Sequence, residues 1–140
     1  MIRKVTVEDS KEISVISSED LGYECDIELV KRRIEGLDDT REIVFVALHN
    51  EKIVGYVHAE IYNVLYFESM VNVLGLAVKE ECRHMGYGRM LMEAVEQWAK
   101  DNEIRYIRVN SGSTREGAHQ FYQSIGYDSV KDQKRFLKQI

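Results

Sequence analysis

The sequence predicts an α+β (mixed α/β) fold: a central, mostly antiparallel twisted sheet of six to seven strands, flanked by about four helices. Apolar runs between residues 43 and 78 follow one another with short polar breaks, as in a β meander. A long amphipathic helix then leads to one further strand, which makes a single β-α-β crossover. Together these observations predict the order β-α-α-β-β-β-α-β-α-β.

The N-terminal third predicts one strand and two helices. Residues 2–7 form a short strand, and an acidic or hydroxyl side chain at 8–10 caps the following helix. Gly22 is suited to end that helix. Apolar residues at helical spacing between 26 and 37 predict the second helix.

The rest of the chain alternates strands with two helices. Strands are predicted at 43–48, 53–61, 70–78 and 104–109, with one or two more within 127–137. The helices are predicted to carry Leu91 to Ala99, whose apolar residues recur every three or four positions, and to cover 115–125.

The hexapeptide Arg83 to Gly88 joins a buried strand to the amphipathic helix. A helix N-terminus presents unpaired backbone N–H groups and partial positive charge, so this turn is suited to a phosphate. Gly86 and Gly88 leave no Cβ in the way, and Arg83 offers a charged contact. The hexapeptide alone leaves open that the glycines only permit a turn and close helix packing.

Composition limits the class of function. The 140 residues fit one domain, 1–140, with 44% hydrophobic and 31% charged residues. A net charge of -5 and the lack of a Lys/Arg-rich run argue against nucleic acid as partner. An acidic surface is compatible with a cationic substrate, although solubility explains it equally well.

Cys25 and Cys82 have no metal-ligand spacing, so we expect free thiols and no metal site. The early charges at the N-terminus do not resemble a signal peptide, and no apolar run reaches membrane length. These features predict a cytoplasmic protein without a membrane partner.

Three segments carry a resemblance to a known family. Arg83-x-x-Gly86-x-Gly88 begins five residues after Val78, and 118–127 reads Ala-x-x-x-Tyr-x-x-x-Gly-Tyr. Val54-Gly55 lies in the predicted third strand. With this element order, the chain resembles the GCN5-related N-acetyltransferase (GNAT) superfamily over essentially its full length. Two departures are Glu80, where proline is common, and Arg115, where asparagine is common.

The resemblance implies an acetyltransferase that uses acetyl-CoA. Its pyrophosphate would lie on the glycine turn and its pantetheine arm on exposed backbone of the fourth strand. A neutral amine would attack the thioester directly, through a tetrahedral intermediate stabilised by a backbone N–H, without an acyl-enzyme. The implied coenzyme A contacts are Leu76, Ala77, Val78, Arg83, His84, Met85, Gly86, Tyr87, Gly88, Arg115, His119 and Tyr122.

The resemblance also implies that Tyr122 is the general acid that protonates the departing thiolate. Helical spacing alone favours core packing, because Tyr122 shares an apolar stripe with Phe121 and Ile125. Glu60 is the first candidate for the general base, with Glu68 as another nearby carboxylate. Strand alternation places Glu60 with His58 on one face, which could be a cleft or simply solvated.

The acceptor wall is expected from the first two helices and the loop 63–69. Tyr23, Glu24, Tyr66 and Phe67 suit a cationic small molecule, although ordinary surface is the competing interpretation. We therefore expect a small-molecule primary amine. A protein or peptide N-acetyltransferase and a non-catalytic coenzyme A sensor remain alternatives, while a Rossmann-type nucleotide site lacks its motif. A homodimer is expected through a free sheet edge in the C-terminal strand.

Overall fold

The computed structural model describes residues 1–140 and contains five strands and four α-helices. The strands are β1 (Ile2–Lys4), β2 (Glu42–His49), β3 (Lys52–Tyr62), β4 (Met70–Val78) and β5 (Tyr106–Val109). The helices are α1 (Ser10–Asp20), α2 (Ile27–Glu35), α3 (Tyr87–Asp101) and α4 (Glu116–Ser124), and single 3₁₀ turns cover Val7–Asp9 and Glu80–Cys82. The predicted fold class is confirmed, and the predicted order is correct as far as α4.

The chain forms two compact units. Residues 1–109 contain the whole sheet together with α1, α2 and α3. Residues 110–140 contain α4 and the segments on either side of it. No helix of the chain is both long and apolar enough to cross a membrane, and both cysteines are free thiols.

The sheet runs in the order β1-β2-β3-β4-β5, so each strand pairs with its neighbours in the chain. The first three pairings are antiparallel and only β4 with β5 is parallel, as expected when α3 makes the single crossover. The β2–β3 hairpin turns through Asn50 and Glu51, whose φ values of 50° and 65° are those of a two-residue hairpin turn.

Helices α1 and α2 cover one face of the sheet. Their side chains Ile13, Ile16 and Val30 form one buried cluster with Val44, Val46, Tyr56 and Ala77 of the strands. Removing this apolar surface from water drives the packing of the two helices on the strands. Helix α3 packs against β2, β3 and β4 and buries Leu91, Met92 and Val95. Both faces of the central strands are therefore covered.

The N-terminus of α1 is held by a bidentate ion pair. Arg3 of β1 donates to both oxygens of Asp9, over 2.8 and 2.9 Å, and the Thr6 N–H donates to the same carboxylate over 2.8 Å. Burial opposes the charged form of Asp9, but these bonds outweigh it, and the pKa of the carboxyl lies below its ordinary value.

The strands predicted within 127–137 are wrong, because no strand or helix follows α4. The apolar side chains Val130, Phe136 and Leu137 are exposed, so a strand here would bury no face. The sheet consequently has five strands, with β1 and β5 as its outermost members. No C-terminal strand offers the edge through which a homodimer was expected, and the homodimer itself stays a prediction.

Candidate active site

Strand β4 extends beyond the end of its parallel neighbour β5, which stops at Val109. Pairing with β5 ends at Val73, which is opposite Val109. On the other side, His58 of β3 pairs with Gly75 and Ala59 pairs with Val73, so Leu74 is an extra residue in a β-bulge. The edge of β4 beyond the bulge has no pairing with β5. The predicted pantetheine contacts Leu76 to Val78 lie on this unpaired edge.

The third strand approaches this stretch closely through Gly55, which pairs with Val78. A Cβ on Gly55 would lie 2.9 Å from the Ala77 carbonyl oxygen and 3.1 Å from Val78 Cγ2. Real side chains do not tolerate the first distance to a backbone atom. Gly55 of the Val54-Gly55 pair therefore allows β3 to approach β4 closely within the sheet.

The glycine turn after β4 has the features of a phosphate site. Met90 makes the first bond of α3, to the Gly86 carbonyl over 3.0 Å, so the N–H groups of Tyr87, Gly88 and Arg89 have no intrahelical acceptor. Gly86 has a φ of 88°, a Cβ at this position would meet nothing within 4 Å, and no side chain caps the helix. These open, convergent donors fit the pyrophosphate of coenzyme A.

Two side chains outside the turn hold its ends. The Tyr87 hydroxyl is hydrogen-bonded to His49 Nδ1 from the β2–β3 hairpin, and the Tyr87 ring is buried. Arg83 donates through Nε to the Val78 carbonyl over 3.3 Å and through Nη2 to Asp20 Oδ1 over 3.0 Å. Of the predicted contacts, Tyr87 can therefore offer only its backbone N–H, whereas His84 and Met85 are exposed.

Asp20, at the end of α1, is an unusual partner for Arg83. Its side chain is 7% exposed, and its second oxygen, Oδ2, is buried without a hydrogen-bond partner. Burial raises the pKa of this carboxyl, Arg83 opposes the rise, and the nearby carboxylates of Glu19, Glu81 and Glu80 add to it. The carboxylate that holds the glycine turn is thus incompletely satisfied.

A row of polar side chains crosses the strands on the face that α1 and α2 cover. Glu42, His58, Glu60 and Asn72 share this face by strand register. His58 Nε2 lies 3.0 Å from Glu42 Oε1, and Asn72 Nδ2 donates to Glu60 Oε2 over 3.1 Å. The predicted base Glu60 is therefore half-buried and bonded, neither in the apolar core nor fully solvated.

Glu42 and Glu60 are directly opposite each other on β2 and β3. Like charges in this position repel, and partners on each side offset the repulsion. Arg41 lies 3.8 Å from Glu60, and Glu42 accepts from the Asp38 N–H as well as bonding His58. Burial opposes ionisation of Glu42, but these bonds prevail and the pKa of its carboxyl is lowered. The lowered pKa of Glu42 thus favours its charged form on this face, directly opposite Glu60.

The apolar side of the polar row is closed by Tyr56. Its hydroxyl and the Ser17 hydroxyl are hydrogen-bonded over 2.7 Å, and burial raises the pKa of the phenol despite that bond. The Tyr56 oxygen lies 3.9 Å, and Leu21 Cδ1 4.0 Å, from where a Cβ would stand on Gly75. The bulge of β4 is therefore faced by a fixed phenol on this side.

In the second unit, Tyr122 lies on α4 between two aromatic neighbours. Its ring contacts Phe121 and Tyr127 edge-to-face, at centroid distances of 5.2 and 6.1 Å. Burial raises the pKa of the Tyr122 phenol, with Arg115 acting in the opposite direction, so the phenol is protonated at neutral pH. His119 Nε2 is 2.8 Å from the Gly112 carbonyl, which fixes the loop before α4.

The residues predicted for the acceptor wall lie in two separate loops. Tyr23 and Glu24 follow α1, whereas Tyr66 and Phe67 lie between β3 and β4, and all four are exposed. No hydrogen bond or ring contact joins the two pairs; Phe67 instead packs edge-to-face on Tyr106 at 5.0 Å. The alternative carboxylate Glu68 is engaged by Arg105 on the surface.

Sequence reasoning did not identify Glu42 or His49 as site residues. Glu42 meets His58 across 16 positions of sequence, and Asp20 meets Arg83 across 63. Strand register could have suggested the first pair, because Glu42 begins a strand antiparallel to the one that carries His58. No local pattern indicates the second pair.

The fold and the glycine turn are those expected of a coenzyme A-dependent acyltransferase. Comparison with known proteins supports this class. The model of the Acetyltransferase (GNAT) family matches residues 10–127. The chain belongs to this family.

Two curated relatives and one solved structure illustrate the similarity. The chain is 26% identical over 104 residues to the uncharacterized N-acetyltransferase YhdJ of Bacillus subtilis (strain 168), covering 74% of this chain and 73% of that protein. It is 27% identical over 133 residues to the uncharacterized N-acetyltransferase CT2212 of Chlorobaculum tepidum, covering 93% and 76%. The structure of AAC(6')-Iy in complex with the bisubstrate analog CoA-S-monomethyl-acetylneamine superimposes with a TM-score of 0.84, at 17% identity, over 100% of this chain and 98% of that one.

Family membership therefore confirms that the protein is an acetyltransferase, and acetyl-CoA is its co-substrate. The glycine turn and the unpaired edge of β4 have the shape and the donors that this co-substrate requires.

Proposed function

We propose that the protein acetylates a primary amine of a small cationic molecule. The observation that carries the acceptor's chemistry is the opposition of Glu42 and Glu60 on adjacent strands, on the face beside the β4 bulge. Two neighbouring half-buried carboxylates attract an alkylammonium group. An aminoglycoside N-acetyltransferase is among the proteins of similar fold, which supports including aminoglycosides among the acceptors to be tested.

The donor side uses mainly backbone. Acetyl-CoA supplies the acetyl group as an activated thioester. The N–H groups of Tyr87, Gly88 and Arg89 hold its pyrophosphate, and the unpaired edge of β4 beyond Val73 holds its pantetheine arm. A free N–H on the same edge of β4 stabilises the negative charge that develops on the carbonyl oxygen.

Proton transfers are assigned to side chains. Tyr122 gives a proton to the departing sulfur, an assignment supported by its place in the second motif and by its raised pKa, which keeps the phenol protonated. Glu60 is the proton acceptor expected from the sequence. Arg115 and His119 are kept as coenzyme A contacts, and Tyr23, Glu24, Tyr66 and Phe67 as the acceptor wall.

The test is thiol release from acetyl-CoA with a panel of polyamines, aminoglycosides, amino acids and peptides with a free N-terminus. Wild type is compared with Tyr122→Phe, and Tyr106→Phe is the matched control because its phenol makes no hydrogen bond. We expect turnover of a small polycationic amine, a fall of about 100-fold in kcat for Tyr122→Phe and unchanged activity for Tyr106→Phe.

Coenzyme A binding by calorimetry separates the alternatives. Turnover of peptides alone would replace the small-molecule acceptor with a protein or peptide N-terminus. Tight binding of acetyl-CoA without turnover of any amine would favour a non-catalytic sensor. Equal activities of Tyr122→Phe and wild type would remove Tyr122 from the mechanism.

A further inference from the structure

His58 and Glu42 form a pair whose chemistry is that of an oriented base. His58 Nε2 is 3.0 Å from Glu42 Oε1, and the second oxygen of Glu42 accepts from the Asp38 N–H over 3.3 Å. An ionised carboxylate only accepts hydrogen bonds, so Nε2 carries the proton and Nδ1 carries a lone pair. No protein atom bonds Nδ1, and the His58 side chain is 24% exposed.

Strand register places His58 beside the start of the β4 segment that has no pairing with β5. His58 is opposite Gly75, the residue immediately after the bulge. At Gly75, β4 is no longer paired with β5. Since Gly75 has no side chain, no cross-strand partner on β4 covers His58 at this position. We have proposed that the pantetheine arm of acetyl-CoA lies along the unpaired edge of β4, which begins at this point. His58 is therefore near one end of the proposed pantetheine site.

Glu60 occupies a less favourable position on the same face. It is opposite Asn72, where β4 is still paired with β5, and it already accepts from the Asn72 amide. Arg41 lies 3.8 Å from its other oxygen. Both oxygens of Glu60 therefore have partners, whereas His58 Nδ1 has none.

We propose that His58 Nδ1, rather than Glu60, accepts the proton from the acceptor amine, and that Glu42 is the positioning residue that fixes its tautomer. This inference rests on the proposed function. The ammonium of the acceptor gives one proton to Nδ1, and the neutral nitrogen attacks the acetyl carbon. The C–N bond forms, and the C–S bond breaks with its electron pair on sulfur. Tyr122 gives its proton to the departing sulfur and takes back the second proton of the nitrogen.

The imidazolium then returns its proton to water. Glu42 stabilises the positive charge while it exists and also lines a cavity of about 190 Å³ bounded in part by Glu35 and Asp39. Glu60 remains a fixed negative charge that attracts the ammonium group.

The kinetic test compares His58→Ala, Glu42→Gln and Glu60→Gln, with Glu28→Gln on the exposed face of α2 as the control for loss of a carboxylate. We expect His58→Ala to lower kcat about 100-fold, with unchanged coenzyme A affinity and partial recovery in added imidazole. Glu42→Gln should lower kcat about 10-fold, whereas Glu60→Gln should mainly raise the acceptor KM.

Nitrogen-15 NMR of the His58 ring gives a readout that needs no acceptor. Protonated Nε2 and unprotonated Nδ1 are expected in wild type, with mixed tautomers in Glu42→Gln. A wild-type ring protonated at Nδ1 alone, or a His58→Ala kcat within threefold of wild type, would overturn this proposal alone. Wild-type protein without turnover of any amine would overturn the proposed function and this inference together.

Discussion

The two ends of helix α1 carry aspartates in opposite electrostatic states. Asp9, at the N-terminus, has both oxygens bonded by Arg3, and its pKa is lowered. Asp20, at the C-terminus, has one bond from Arg83 and a buried free oxygen, and its pKa is raised. The helix dipole favours a carboxylate at the first position and disfavours one at the second.

This difference separates a structural contact from a contact beside the proposed donor site. The Arg3–Asp9 pair joins β1 to α1 and satisfies every charge involved. The Arg83–Asp20 pair joins α1 to the glycine turn and leaves one oxygen unsatisfied. Departures of this kind are expected where a protein trades local stability for function. The C-terminal end of α1 therefore holds the turn that we propose as the coenzyme A pyrophosphate site.

Breaking the N-terminal pair should have the largest effect on stability. Arg3→Met leaves the buried carboxylate of Asp9 with only the Thr6 bonds, and we expect the free energy of unfolding to fall by about 3 kcal/mol. Urea denaturation measures this, with Arg32→Met on the exposed face of α2 as the control. A loss of stability no larger than that of the control would show that the Arg3–Asp9 ion pair contributes nothing to the free energy of unfolding.

Breaking the C-terminal pair should affect ligand binding more than stability. Arg83→Met removes a partner of Asp20, but that carboxyl already has a raised pKa and accepts a proton more readily. We expect a loss of about 1 kcal/mol in unfolding free energy and a roughly 10-fold weaker affinity for coenzyme A by calorimetry. Unchanged affinity would mean that Arg83 serves only the fold, and Arg32→Met again provides the control.

The pH dependence of stability should change in opposite directions at the two ends. The lowered pKa of Asp9 adds stability above about pH 4 that is lost as the pH falls through its folded value, and Asp9→Asn should abolish this gain. The raised pKa of Asp20 removes stability as the pH rises above about 4, so Asp20→Asn should abolish this loss.

Thermal melts of the two asparagine variants between pH 3 and 7 measure how the stability of each changes with pH relative to wild type. Each change should be on the order of 1 kcal/mol or less. With rising pH, Asp9→Asn should fall further below wild type, and Asp20→Asn should gain relative to it. Slopes of the same sign would contradict the comparison of the two ends.

The strand, glycine turn and helix start that we propose as the donor site could be located from the sequence because they are adjacent in it. The glycine turn needs only a strand end, two glycines and a helix start, all within a few residues. The boundaries of β4 were predicted at both ends, since its apolar run is closed by charged residues.

The polar face proposed for the acceptor could be predicted only in part, because it depends on strand register. Alternation placed His58 and Glu60 on one face. Only the pairing of β2 with β3 brings Glu42 to His58. Only the bulge at Leu74 places His58 beside the part of β4 that is not paired with β5. The strands expected within 127–137 failed for a related reason, because apolar residues in a strand-like pattern need a partner to cover them.

The sheet order repeats the chain order, and this bears on how the protein is made. As synthesis proceeds, each strand from β2 to β5 emerges after the strand with which it first pairs, so none has to insert between strands already joined. Such neighbour-by-neighbour pairing keeps most sheet contacts short in sequence and favours rapid folding. The sheet can be completed on the ribosome once Val109 has emerged, before the residues that form α4 are available.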